Sequence, residues 1–185
     1  MKIIVINGLP KAGKSLFVGN CLGTLGNFGK EISTIDFVKE VAILCGWNKE
    51  KNLKNRKFLS DLKDLLTEWN DVPMKKVKEK IRDFWNIFRT YDVDDNKAVI
   101  FIHCREPKEI QRFVDELGAR TLLILRDSTL NNEQSNHADS EVFNFTYDYT
   151  ITNNGTFEEL EEKADNFLHM IRNENWESKY PEEEF

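Results

Sequence analysis

Apolar positions along the chain follow two periods, and the alternation between them sets out the architecture. Short runs at Ile3 to Ile6, Ala98 to Ile102 and Thr121 to Leu125 lack the polar alternate positions of a one-sided strand, so each predicts a β-strand covered on both faces. Elsewhere apolar residues recur every three or four positions. Leu16, Phe17, Cys21 and Leu22 predict a first helix, broken by Gly23, Gly26 and Gly29 before a second strand at Glu31 to Asp36. Asp36 is placed to cap the next helix, whose apolar positions Phe37, Val41, Ala42 and Leu44 run to a stop at Gly46.

A polar stretch rich in Lys and Asn, 48–57, reads as a connection, and two longer amphipathic helices follow it. One carries Phe58, Leu59, Leu62, Leu65, Leu66 and Trp69; the other starts at Pro73 and carries Val77, Ile81, Phe84, Trp85 and Phe88. They form a helical insertion, about 47–92, between the second and third strands, with their aromatic stripes turned to the core. Ile110, Phe113, Val114 and Leu117 mark a helix entered at Pro107 and left at Gly118. Residues 127–142 show no period and read as a short lid. A last strand, Tyr149 to Thr152, leads through Asn153-Asn154-Gly155 to a helix carrying Phe157, Leu160, Ala164, Phe167, Leu168 and Ile171, and 174–185 reads as an acidic, solvated tail. Strands alternating with helices predict an α/β domain over 1–173, a parallel sheet with helices on both faces and ligands bound beyond the carboxyl ends of the strands. Asp36, Arg105 and Arg126 lie on that edge.

Directly after the first strand stands Gly8-Leu9-Pro10-Lys11-Ala12-Gly13-Lys14-Ser15. The spacing GxxxxGK[ST] is that of the phosphate-binding P-loop, in which glycines let successive backbone N–H groups converge on phosphate oxygens. Gly8, Pro10, Lys11, Ala12, Gly13, Lys14, Ser15 and Leu16 are therefore expected to line the phosphates of ATP. Lys14 would neutralise the β- and γ-phosphates, Ser15 would place its hydroxyl on Mg²⁺, and the helix that follows aims its positive end at the same anion.

Composition adjusts this picture at three points. The chain has 185 residues, 40% of them hydrophobic, enough for one substantial core. Its net charge of −6 argues against a protein that coats nucleic acid. No apolar run is long enough to span a bilayer, and the first residues read as strand and loop rather than a leader, so a cytoplasmic protein is expected. Cys21, Cys45 and Cys104 lack metal or disulfide spacing and read as reduced thiols packed in the core.

A nucleotide triphosphate alone does not separate a kinase from an ATPase or a switch. Phosphoryl transfer also needs cations on the acceptor and the migrating group, and Lys39, Arg56, Arg105 and Arg126 are the candidates. Beyond the P-loop, Asp36-Phe37-Val38-Lys39, Arg56-Lys57-Phe58-Leu59, Arg105-Glu106-Pro107-Lys108-Glu109 and Asp148-Tyr149-Thr150-Ile151-Thr152-Asn153-Asn154-Gly155 occur in that order. With these, the chain from about Lys2 to Ile171 resembles the P-loop nucleoside monophosphate kinases, most closely the deoxynucleoside monophosphate kinases of bacteriophages, and more distantly animal phosphomevalonate kinase.

The resemblance implies a three-layer P-loop NTPase fold with a five-stranded sheet in the order 2-3-1-4-5. It implies that Asp36, Lys39 and Arg56 face the acceptor monophosphate, that Arg105 holds its phosphate, and that Arg126 begins the lid over the donor. Lys14, Arg105 and Arg126 would then carry the transfer, with ATP and Mg²⁺ as cofactors and a small-molecule monophosphate as partner; a homodimer is left open. The sequence departs from that family where His103 takes the place of the Asp that usually ends the third strand, with Glu106 nearby as a stand-in. The lid also lacks arginine after Arg126. These departures favour the alternative of a non-catalytic nucleotide-binding switch or assembly module.

Overall fold

The computed structural model of the protein describes residues 1–50, 52–91, 97–130 and 141–181. Five strands, β1 (Lys2–Asn7), β2 (Gly29–Ser33), β3 (Val99–His103), β4 (Arg120–Leu125) and β5 (Tyr149–Thr152), pair in parallel in the order β2-β3-β1-β4-β5. β1 lies at the centre because every one of its residues is buried, including both faces of Ile3 to Ile6. The register sets Ile6 and Ser33 level with His103, so β1, β2 and β3 end together at one edge.

Seven helices are described: α1 (Lys14–Leu25), α2 (Asp36–Leu44), α3 (Leu53–Asn70), α4 (Val72–Tyr91), α5 (Pro107–Leu117), α6 (Asp127–Leu130) and α7 (Phe157–Asn173). α1 and α7 cover one face through Phe17, Val18, Cys21, Leu160 and Phe167 against Ile4, Ile6, Phe101 and Leu122. The Phe17 and Phe167 rings meet edge to face at 5.7 Å. α4 and α5 cover the other face, where Val77, Ile81, Ile110 and Phe113 pack on Ile3, Val5, Ile32 and Ile100. This is the expected three-layer α/β fold. Among the described residues no helix is long and apolar enough to cross a membrane.

Three sets of ion pairs fasten the helices between β2 and β3 onto α5. Lys63 of α3 reaches Glu106 at 3.0 Å and Glu109 at 2.7 Å. Asp71, in the left-handed turn between α3 and α4, takes a two-pronged contact from Arg112 at 3.0 and 2.6 Å. Lys78 of α4 lies 2.7 Å from Glu116.

Several sequence expectations are corrected. β2 runs from Gly29 to Ser33 rather than from Glu31 to Asp36, and α1 continues through Gly23 to Leu25. The polar 48–57 stretch is helical from Leu53, where Asn52 caps α3 by accepting the Asn55 N–H at 2.8 Å. Only α4 turns its aromatic stripe to the core. On α3 the only buried residue is Lys63, and Leu65 and Trp69 are exposed. Leu44 and Cys45 are exposed as well, whereas Cys21 and Cys104 are buried as expected.

The tail is the largest departure. Over 174–181 it returns to the start of the sheet, where Lys2 Nζ donates to the Glu174 and Trp176 carbonyls at 2.9 and 2.8 Å. Ser178 Oγ accepts the Ile3 N–H at 2.9 Å. β4 pairs with β1 only from Ile4 onward, so the hydroxyl completes a donor the ladder leaves unused. Ser178→Ala should leave that buried N–H unpaired and cost about 1–2 kcal/mol, read as a lower urea midpoint at unchanged m-value. The acidic residues Glu182, Glu183 and Glu184 lie outside the described residues, as does most of the lid.

Candidate functional site

The loop from Gly8 to Gly13 joins the end of β1 to the start of α1, and its glycines are required by shape. Gly8 has φ +145° and passes against the Ile124 carbonyl, where a Cβ would collide with that oxygen. Gly13 has φ +100° and would place a Cβ on the Asn153 side-chain amide. Lys11 also has a positive φ, 67°, at the exposed tip beside Pro10. The loop closes on itself through the Ala12 N–H to the Leu9 carbonyl at 3.2 Å.

Lys14 lies back along this loop, its Nζ donating to the Gly8 and Leu9 carbonyls at 2.5 and 2.9 Å. Ser15 and Leu16 follow on the first turn of α1, both exposed at the strand ends, and Ala12 is buried. The loop brings together all the residues expected to line ATP. Ser15 is exposed on the first turn of α1, and its hydroxyl is a hard oxygen donor of the kind Mg²⁺ takes while keeping several waters; among the described residues no group of three or more His, Cys, Asp or Glu is placed to hold a metal ion.

Two asparagines hold the loop in place. Asn153, 6% exposed, follows β5 and donates from Nδ2 to the Ala12 carbonyl at 2.8 Å, while its own N–H pairs with the Leu125 carbonyl at 2.7 Å. Asn7 accepts the Gly8 N–H on Oδ1 at 2.8 Å and donates from Nδ2 to the Tyr147 hydroxyl at 2.8 Å and the Arg105 carbonyl at 3.1 Å. Tyr147 in turn donates to the Val142 carbonyl at 2.7 Å. Burial pushes its phenol up to about 12, so it stays protonated as this network requires.

The segment Asp148 to Gly155 thereby gains a physical meaning at each of its characteristic positions. Asp148 accepts the Thr121 N–H and hydroxyl, both at 2.8 Å, and fixes the register of β5 on β4. Ile151 packs on the α1–α7 face. Asn153 anchors the P-loop, and Gly155 leaves room for the Glu159 carboxylate that completes a capping box with Thr156 at the start of α7.

On the acceptor side the expected residues are not gathered into one place. Asp36 does not cap α2. It lies on the first turn, and its Oδ2 accepts the Ser33 N–H at 2.9 Å, closing the β2–α2 turn instead. Lys39 lies 3.9 Å from Asp36, and Lys80 of α4, unmarked by the sequence, lies 3.9 Å from the same carboxylate. Arg56 is exposed on α3 in an open groove with Asn52, Leu53 and Lys54. Arg105 follows β3, half-buried, with its carbonyl held by Asn7. Arg126 is exposed at the exit of β4, and its carbonyl accepts the Thr129 N–H at 2.9 Å and hydroxyl at 2.7 Å, which starts α6. His137 and the rest of the lid over 131–140 lie outside the described residues.

His103 and its neighbours differ from expectation. Glu106, offered as a stand-in acid, is taken by Lys63 at 3.0 Å. The carboxylate beside His103 is Glu31 of β2, whose Oε1 lies 2.7 Å from the buried Nε2, close but without the alignment of a full hydrogen bond. Burial holds the imidazole below its ordinary pKa; Glu31 opposes this, and the Lys14 charge adds to it. Sequence reading missed Glu31 although one signal was present: it stands two residues before Ser33, and so shares a sheet face with the end of the strand. Cys104 is inert, because burial raises its thiol pKa well above the usual value and the neighbouring Glu109 adds to the effect.

No protein-family model matches the chain, and no curated protein matches it either. Among solved structures it is similar to the crystal structure of TT1252 from Thermus thermophilus. That match has 15% sequence identity and a TM-score of 0.43, and covers 92% of this chain and 97% of that one.

Proposed function

We propose that the protein is an ATP-dependent phosphotransferase of the nucleoside monophosphate kinase kind, acting in the cytoplasm on the phosphate of a small monophosphate, foremost a (deoxy)nucleoside monophosphate. The observation that carries this reading is the loop itself. A GxxxxGK[ST] segment leaves the central strand of a parallel sheet, with Gly8 and Gly13 in conformations other residues resist and Lys14 folded along it. Backbone N–H groups of the loop and the α1 N-terminus would form the cradle for polyphosphate.

In this reading Lys14 neutralises the β- and γ-phosphates, and Ser15 offers a hydroxyl ligand to Mg²⁺. The metal would supply charge neutralisation on the donor phosphates. The acceptor is a phosphate oxygen that is already anionic, so no general base is needed and positioning carries most of the rate. Arg105, fixed at its carbonyl by Asn7, would hold the acceptor phosphate from the β3 side. Arg126 would approach the donor from the β4 side at the root of the lid, while Asp36 and Lys39 line the β2 side and Arg56 the insertion.

The pure protein incubated with Mg-ATP and a panel of nucleoside and non-nucleoside monophosphates is expected to form ADP with at least one acceptor and none without. No acceptor-dependent ADP above a Lys14→Ala control would overturn the reading. A second reading, a nucleotide-binding switch or assembly module, is favoured by His103 at the end of β3. Tight ATP binding without turnover, coupled to binding of a partner protein, would establish it instead.

A further inference from the structure

Carboxylates at the edge where β1, β2 and β3 end are mostly committed. Asp36 closes the β2–α2 turn and lies near Lys39 and Lys80. Glu106 and Glu109 are held by Lys63. Glu31 differs from these in its neighbour, since its Oε1 lies 2.7 Å from the imidazole of His103, and its side chain remains 41% exposed.

A carboxylate beside a lysine has its charge cancelled locally. One beside a ring whose charged form burial disfavours keeps more of its charge for another cation. His103 ends β3 level with Ile6 of β1, one residue before Asn7 and two before the P-loop begins at Gly8, and it lies within the field of Lys14. Glu31 and His103 also share the sheet face covered by α1, whose first turn carries Ser15. The pair therefore stands on the sheet face that α1 covers, with His103 at its carboxyl edge.

We propose that Glu31, 2.7 Å from the His103 imidazole, is the acidic group that orients the water shell of the divalent cation bound with the nucleotide at Ser15. The acid comes from the neighbouring strand, β2, instead of from the end of β3. Hard divalent ions such as Mg²⁺ keep several waters, so a carboxylate can act by accepting hydrogen bonds from them without touching the metal. His103 is then a positioning residue: its ring, whose charged form burial disfavours, packs against the carboxylate at 2.7 Å. This inference rests on the nucleotide-binding reading of the loop.

The test is calorimetric titration of ATP into the full chain, once with MgCl₂ and once with EDTA, which needs no turnover. The wild type is expected to bind ATP more tightly with Mg²⁺. Glu31→Gln should shrink that gain about tenfold while leaving Mg²⁺-free affinity unchanged. Adding His103→Asp to Glu31→Gln should restore most of the gain, because a carboxylate then stands at the end of β3. An undiminished gain in Glu31→Gln, an equal loss in both media, or no recovery in the double variant overturns the inference while ATP binding stands. Absence of ATP binding by the wild type overturns the nucleotide reading and the inference together.

Discussion

Lys14→Ala is expected to lower acceptor-dependent ADP formation by at least about 10²–10³-fold, the loss seen when one preorganised group is taken from a developing anion. The fold should survive the change. Lys14 Nζ donates to backbone oxygens of its own loop, those of Gly8 and Leu9, so the loss falls on the loop rather than on the packing of the sheet. Thermal unfolding should therefore stay within a few degrees of the wild type, and the defect should appear in ATP affinity and turnover. Lys14→Arg should rescue little, because a broad planar guanidinium does not replace a compact ammonium folded between two carbonyls. An internal reporter is available. The Lys14 charge helps hold His103 below its ordinary pKa, so in Lys14→Ala the His103 imidazole should titrate at higher pH, observable by NMR. Full activity in Lys14→Ala, or a His103 titration that does not move, would contradict this account.

What could be read from the chain and what could not divide along a physical line. The layers follow from buried apolar runs and helical periods, because burial on two faces leaves a signal in residue type, whereas the strand order came with the family resemblance. The tight turn from Gly8 to Gly13 was legible because close backbone approach admits little except glycine at those two positions. Asn153 is prominent in the sequence, but its partner, the Ala12 carbonyl, is a backbone atom and leaves no trace in residue identity. Contacts between side chains distant in sequence were the hidden part. Nothing local in Glu31 points to His103, and nothing in Lys63 announces that an amphipathic helix would turn a lysine inward instead of Leu65 or Trp69. The tail misled for a related reason. Its composition is polar and acidic, yet Lys2, Ser178 and Trp176 hold it through backbone hydrogen bonds and a cation placed 4.5 Å over an indole ring.

Of the changes away from the loop, Lys63→Met should destabilise the protein most, by roughly 3 kcal/mol. The Lys63 side chain is 10% exposed and Glu109 15%, so removing the ammonium leaves a carboxylate with little water and the Cys104 thiol, at 3.3 Å, in place of a counter-charge. Glu106 is 42% exposed and can rehydrate, which keeps the cost at the lower end for a broken buried pair. Burial alone would lower the lysine pKa, but Glu109 and Glu106 outweigh it and raise it above the ordinary value. A raised lysine pKa contributes stability that is fully present below the unfolded-state value, about 10.4, and is lost only as pH climbs through the folded value. The deficit of Lys63→Met should therefore be constant between about pH 6 and pH 9, measured by urea unfolding. Adding Glu109→Leu should recover much of it, since an apolar pair of similar volume avoids the stranded charge. The same cluster ties α3 to the turn that follows Arg105. If Arg105 holds the acceptor, Lys63→Met should raise the acceptor KM more than it lowers kcat, and the Glu109→Leu partner change should restore stability before it restores KM.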